Sequence, residues 1–556
     1  MILRFFTLFL ILLISLTLQA EIVVDGSLGP QRTLQGPDYQ IEAALGYQQG
    51  NNLFHSFSQF KLTSQESAVF SGPLTIKNII TRITGGQPAF INGDLVSTMP
   101  NANFFLLNPA GAVFGPQAQL DIKGSFHLST ADYLRLGQNG YFYAQPLRGD
   151  VLSTAPPTAF GFLKSPQEAL ISFQGTGHQI YANMSQKSGL GVATGKTFSV
   201  IGDQIHINQG NYYLQENGQT VRLNNLFAPS GYIQLISVGA AYGEVALTPT
   251  FDLNVHGELG TIGMNDHVLI DVSGARPGHI SLIGKKLMLH NSYLFAHALD
   301  TPEHSSTFND HPSIQIIADE LSLKNSSGFL THSFTNANAG NIRVQARRLS
   351  LEQDSRIESY AFSSGHAGNI TVAASHLSLN QSSWIASRLY QSGNAGDISL
   401  KAHSITLNDG SWISSNADLP DSKSFNKALE VTLKSAEQLN MTQEYPSGNT
   451  SNITIETQDM FLKNGGIASV THGSGQAGSI HIHAQGHITV VGADPSSGWQ
   501  SQILAVSDPS VAGIRGGTAG DITLNAHSIS LEGGGQVSSS TVAAQNRYSA
   551  SAGNIH

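Results

Sequence analysis

The chain of 556 residues holds 57 glycines, only 12% charged residues and a formal net charge of −10. That composition is rich in turns and poor in helix-surface ion pairs, and it predicts an elongated β protein rather than an ordinary α/β domain. The acidic balance excludes nucleic acid and anionic lipid as natural partners. With no cysteine, no disulfide can lock the chain in an oxidising compartment.

Met1 to Arg4 gives a short positive start, Phe5 to Leu18 is almost wholly apolar, and Ala20 precedes the polar Glu21. Residues 1–20 read as a secretory signal peptide, too short in its apolar core for a comfortable membrane span, with a retained anchor as the alternative. Cleavage after Ala20 removes Arg4 and takes the net charge from −10 to −11.

Further along, Asn103 to Leu136 reads as strand, turn, strand, turn, strand, with no helical period. Phe104 to Leu107 is an apolar run, Asn108-Pro109-Ala110-Gly111 is the turn, and Val113-Phe114 opens a strand that ends at Gly115-Pro116. Proline fixes φ and the Asn108 side chain can close an Asx turn, so this is a corner and not a catalytic site. Short alternating runs such as Ile205-His206-Ile207 and Tyr232 to Ile236 continue the pattern, and Ala155-Pro156-Pro157 reads as a break in the stacking.

This stretch resembles the secretion domain of the filamentous haemagglutinin group, exoproteins exported by two-partner secretion. The corner is similar to that family's Asn-Pro-Asn-Gly-Ile-Phe-Gly block, and departs from it at Ala110. Further blocks follow in family order: Asn52 to Phe57, Ile83 to Gly86, Ser129 to Asp132, Ala159 to Leu163, Gly195 to Thr197 and Ala228 to Gly231. The resemblance implies a secretion domain over residues 21–250, with Asn52, His55, Asn108, Pro109, Gly111 and Gly115 as its secretion motif. It also implies an outer-membrane barrel transporter with POTRA domains as partner, a route through the periplasm and a secreted or cell-surface product.

From about Phe251 the chain repeats itself. Ala-Gly-Asn-Ile, Ala-Gly-Asp-Ile and Ala-Gly-Ser-Ile recur, and their glycines Gly340, Gly368, Gly396, Gly478, Gly520 and Gly553 mark repeat corners, the first three 28 residues apart (368 − 340 and 396 − 368). Ile342, Val344, Ala346, Leu349, Leu351 and Ile357 alternate within one repeat and return 28 positions later as Ile370, Val372, Ala374, Leu377, Leu379 and Ile385. Each repeat is thus one coil of a parallel β-helix with those residues inside, and each corner glycine is expected to adopt a backbone conformation closed to other residues. The expected fold is all-β, a right-handed parallel β-helix with N-terminal capping strands and extra hairpins. Residues 251–556 form its repetitive part, which stops inside a new repeat at His556. The expectation is a truncated or uncapped C-terminal coil through which the chain self-associates. Insertions at 421–427 and 493–515 read as surface loops.

The 38 acidic residues are scattered, without an Asp-x-Asp or Asp-Asp pair, so neither a Ca²⁺ site nor an acid–base pair of β-helix hydrolases is visible. His481 and His483 flank inward Ile482 and read as outward polar residues rather than metal ligands. Trp384 and Trp412 precede inward isoleucines and should stack on the outside, one coil apart. No cofactor and no catalytic residue is assigned. The functional expectation is a non-enzymatic exoprotein acting as an adhesin on a surface ligand that the sequence does not name. The alternatives are a polysaccharide- or haem-binding β-helix, and the stalk of a contact-dependent toxin.

Overall fold

The computed structural model describes residues 21–147, 151–163, 169–174, 178–180, 190–208, 213–216, 219–224, 226–248, 253–299, 312–419, 445–492, 500–509, 515–542 and 551–556. The signal segment, Trp499, the 421–427 insertion and parts of the 493–515 insertion lie outside the described residues. Among those described, the only helical turn is the 3₁₀ segment Ala43–Leu45.

The fold is a parallel β-helix, as the repeat predicts. In the regular part, one coil is a long bent strand followed by a shorter one: Ile342–Leu351 then Arg356–Ala361, Ile370–Leu379 then Trp384–Leu389. Ile342 pairs with Ile370, Leu349 with Leu377 and Ile357 with Ile385, all parallel and in the 28-residue register. Between Ala346 and Leu349 the long strand only bends, since pairing skips Arg347 and resumes at Arg348. The long strands join one large, mainly parallel sheet and the short ones a second sheet that runs from Leu226–Phe227 to Gln536–Thr541. At the start the helix is capped by antiparallel pairing, Glu21–Val24 lying against Asn52–Leu62.

Alternation puts Ile342, Val344, Leu349, Leu351 and Ile357 inside, each no more than 1% exposed. Every such side chain contributes about 1.5–3 kcal/mol by leaving water, but a single coil has only its two neighbours to bury them against. In the first coils phenylalanines fill the interior, with Phe104 and Phe126 stacked at 6.0 Å and Phe126 and Phe198 tilted at 5.3 Å.

The corners depart from the sequence expectation in their mechanism. Gly340, Gly368, Gly396, Gly478, Gly520 and Gly553 do not take a left-handed φ. A side chain is excluded there because the coils approach too closely: a Cβ on Gly368 would strike the carbonyl oxygen of Gly340, and one on Gly396 that of Gly368. The residue after each glycine is Asn, Asp or Ser because its side chain accepts a backbone N–H from the next coil. Asn369 N–H donates to Asn341 Oδ1 (2.8 Å), Asp397 N–H to Asn369 Oδ1 (2.8 Å) and Asn452 N–H to Asp397 Oδ1 (3.1 Å); in the next coil Ser451 stands where the glycine would be, and Asn452 keeps the role by accepting Ser479 N–H (2.9 Å). Left-handed backbone sits instead at the corner before the short strand. There Asn325-Ser326, Gln353-Asp354 and Gln381-Ser382 have φ between 53° and 64°, and Asp409-Gly410 follow at 51° and 80°.

The extra hairpins form a second layer. Five antiparallel strands, among them Gly140–Tyr143, Tyr133–Leu136, Pro157–Phe162 and Tyr242–Ala246, make one sheet. Its Leu134, Phe142, Phe160 and Val245 pack on the outward residues Phe54, Ile80, Phe105, Leu107, Ile201 and Ile236 of the helix. Strands of the large sheet are therefore buried on both faces here, which explains apolar runs such as Phe104 to Leu107.

Candidate functional site

The Asn108 corner is closed by its own side chain. Ala110 N–H donates to Asn108 Oδ1 at 3.1 Å, the expected Asx turn, and Gly111 N–H donates to the Asn108 carbonyl at 2.9 Å. Asn108 Nδ2 reaches across to the Gln87 carbonyl at 3.0 Å, and Asn108 N–H donates to Ser129 O at 2.9 Å. Asn108 is 1% exposed, while Pro109 and Ala110 are half-exposed. Gly111 has a φ of +94°, and a Cβ there would strike the Leu170 carbonyl oxygen. Gly115 closes the following strand, where Asn92 Oδ1 accepts the N–H of Gln117 at 2.9 Å.

Four of the predicted blocks converge on this corner. A cavity of about 160 Å³ is lined by Asn108, Pro109 and Ala110, by Gly86, by Thr130 and Asp132, and by Phe162 and Leu163. Sequence reasoning missed Asp203, which joins them: Thr130 Oγ1 donates to its carboxylate at 3.1 Å and Ala169 N–H at 2.9 Å. Asp132 accepts Leu163 N–H at 2.6 Å, and burial raises its pKa. Two later blocks meet one another, with Gly195 N–H on Pro229 O at 2.9 Å and Tyr232 N–H on Lys196 O at 3.0 Å.

Asn52 and His55 lie away from the cavity. Asn52 begins an amide ladder: its Nδ2 donates to Ser153 O (3.0 Å) and Ala155 O (2.8 Å), and its Oδ1 accepts from Asn78 Nδ2 at 2.8 Å. It therefore ties the coils to the second layer. His55 is fully buried beside Phe57 and Phe70, neither ring nitrogen has a partner, and burial lowers its pKa to about 4. Arg82, also unforeseen, is 3% exposed and binds Ser56 Oγ at 2.8 Å and the Tyr143 carbonyl at 2.8 Å beneath the Phe142 ring.

The hydroxyl–carboxylate contact at the corner, Thr130 with Asp203, is buried and bound into the fold, the two residues being 5% and 8% exposed. The buried His127 Nδ1 and Ser199 Oγ contact of 2.7 Å lies elsewhere on the large sheet, with Ser199 wholly enclosed. His481 and His483 point outward around buried Ile482, and no group of three or more metal-ligating side chains is found among the described residues.

Geometry thus defines a parallel β-helix whose first coils carry a covering antiparallel layer and a corner knit from separate stretches of chain. Residues 20–275 match the family model of the TPS secretion domain, so the chain carries a two-partner secretion domain and is an exoprotein exported to the cell surface or beyond. The crystal structure of the HMW1 secretion domain from Haemophilus influenzae is a similar solved structure, with a TM-score of 0.41 and 12% identity, covering 93% of this chain and 97% of that one. No curated protein matches the sequence.

Proposed function

We propose that this exoprotein crosses the periplasm after removal of residues 1–20, engages the POTRA domains of an outer-membrane barrel transporter through its 21–250 secretion domain, and acts outside as a non-enzymatic adhesin. The supporting observation is the convergence of four sequence blocks on the Asn108 corner. An extended chain can add a strand to an exposed sheet edge of the transporter, with backbone hydrogen bonds supplying affinity. The corner then acts as a local turn, set by Asn108 and Gly111 before any long-range contact exists, on which successive coils build as they emerge. Folding outside opposes return through the pore.

Export in cells that make the partner transporter tests this. Asn108→Val removes both the Asx acceptor and the Gln87 contact, and is expected to lower the secreted amount about tenfold while synthesis is unchanged. A double variant, Asn108→Val with Pro109→Ala, secreted at the wild-type level would overturn the assignment of this corner to export.

A further inference from the structure

Trp384 and Trp412 pair in register one coil apart, as expected, but their rings lean toward different neighbours. Trp412 lies above Gly466 of the following coil. Trp384 turns back over the preceding one, its ring 4.7 Å from the Arg356 guanidinium and its Nε1–H donating to Glu358 Oε1. Glu358 and Arg356 are 0% and 1% exposed. Burial alone would raise the Glu358 carboxyl, yet Arg356 and His332 beside it hold it down at about 2. The indole is therefore held from two sides, by the guanidinium against its face and by the buried carboxylate at its Nε1–H.

That indole borders a shallow, open groove of about 750 Å³ along the left-handed corner. Its other walls are Asn291, Asn325, Ser326, Gln353, Gln381 and Ser382 with one carboxylate, Asp354, and no aliphatic side chain or cation is in the lining. The left-handed pairs repeat coil by coil, with Asp354 N–H on the Gln381 carbonyl at 2.9 Å, so the backbones that carry Gln353 and Gln381 lie one strand spacing apart, about 4.8 Å. Neither side-chain amide makes a hydrogen bond among the described residues, while both backbone carbonyls are taken by the preceding coil. A row of amides and hydroxyls at that spacing, ending on an immobilised indole, matches a chain of sugar hydroxyls followed by the C–H face of one ring. The nearby cations already face carboxylates: Arg356 pairs with Asp354 at 3.2 Å and lies beside Glu358, and Lys324 pairs with Glu352 at 3.1 Å. Among these described groups carboxylates outnumber cations, which disfavours an acidic ligand.

We propose that this groove binds a neutral polysaccharide lying along the rod, with Trp384 as the stacking platform and Gln353 and Gln381 as hydrogen-bonding contacts. The inference rests on the proposed surface role for its setting, by naming a ligand class for it, but its test does not need export.

Affinity electrophoresis of the purified full chain in gels holding dextran, mannan or galactan reads the binding, with polygalacturonate and heparin as polyanions. At least one neutral polymer should retard the protein, at an affinity that salt leaves unchanged. Trp384→Ala should weaken retardation at least tenfold, Trp384→Phe should restore part of it, and Trp412→Phe should behave as wild type. Because Trp384→Ala also strips a partner from Glu358, Gln353→Ala with Gln381→Ala provides a variant altered only at exposed positions, expected to bind about tenfold more weakly with an unchanged melting temperature. Retardation by polyanions alone, by no polymer, or equally in wild type and the glutamine pair would overturn the proposal. Binding by a protein whose export ignores the Asn108 corner would leave the groove standing and sink the export reading. Export without binding would do the reverse.

Discussion

Two histidines show what a single buried side chain can impose on this fold. His55 and His127 are enclosed, and burial lowers their pKa values to about 4 and about 3 from an ordinary 6.5. A histidine with a depressed folded pKa stays neutral inside while the unfolded chain takes up a proton below pH 6.5, so the folded state loses stability as pH falls through that window. Between pH 7 and pH 5 each should cost the fold about 2 kcal/mol. Urea unfolding of the wild type and His55→Leu at both pH values measures it: the variant should show about 2 kcal/mol less acid destabilisation, and equal losses would contradict an unpartnered, neutral His55. At the repeat corner, Gly368→Ala should cost about 2–4 kcal/mol, because the methyl group meets the Gly340 carbonyl and neither backbone can withdraw without breaking the pairing of its coil.

At the scale of elements, the second layer is held by an apolar seam and by polar ties at Asn52 and Arg82. Arg82 holds the Gly140–Tyr143 strand through the Tyr143 carbonyl while anchored to Ser56 and Ser27. Arg82→Met should cost about 2–3 kcal/mol, and hydrogen exchange should quicken at residues 140–143 while the Ile342–Leu351 and Ile370–Leu379 strands keep their protection. Uniform quickening would mean that the layers unfold as one unit. The coil strands were legible in the sequence because one face is buried and the other wet, which gives period two, as in Ile342-Arg343-Val344. The covering sheet was not, because Tyr133 to Leu136 alternates just as a coil strand does; the available signal was the opposite one, unbroken apolar runs such as Phe104 to Leu107 that need a cover on both sides. The corner at Asn108 was readable from local turn chemistry, and Asp203 was not, since it arrives from 73 residues beyond Thr130. Buried charge on the short-strand sheet escaped for a related reason. Arg356, Glu358, Arg388 and Asp418 look scattered along the chain and become neighbours only when coils are laid side by side.

For the whole molecule, the coil is the unit that can be added or removed. Neighbouring coils match at every level of the repeat: inward isoleucines, the Asn341, Asn369 and Asp397 acceptors, and the left-handed pairs all recur at 28 residues. Deleting residues 368–395 joins Ala367 to Gly396 and brings Ile398 against Ile342 and Trp412 against Arg356, where Ile370 and Trp384 now stand. Stability in such a stack is roughly a sum over coils and their interfaces, so losing one coil should leave a shorter helix that still melts cooperatively. One cost is specific to this deletion. Arg388 leaves with the removed coil, and Asp418, 5% exposed and bonded to it at 2.6 Å, keeps a buried charge without that partner, at about 3–5 kcal/mol. Adding Asp418→Asn to the deletion should recover most of that loss. Removing only residues 368–381, half a coil, forces the short strand at Trp384 into the slot of a long one and turns its charged outward face toward the apolar interior. Circular dichroism and thermal melting of the three proteins separate these outcomes. The 28-residue deletion should retain the strand spectrum at a lower midpoint, Asp418→Asn should raise that midpoint, and the half-coil deletion should not fold. Equal damage from the whole-coil and half-coil deletions would show that the coils are not interchangeable units.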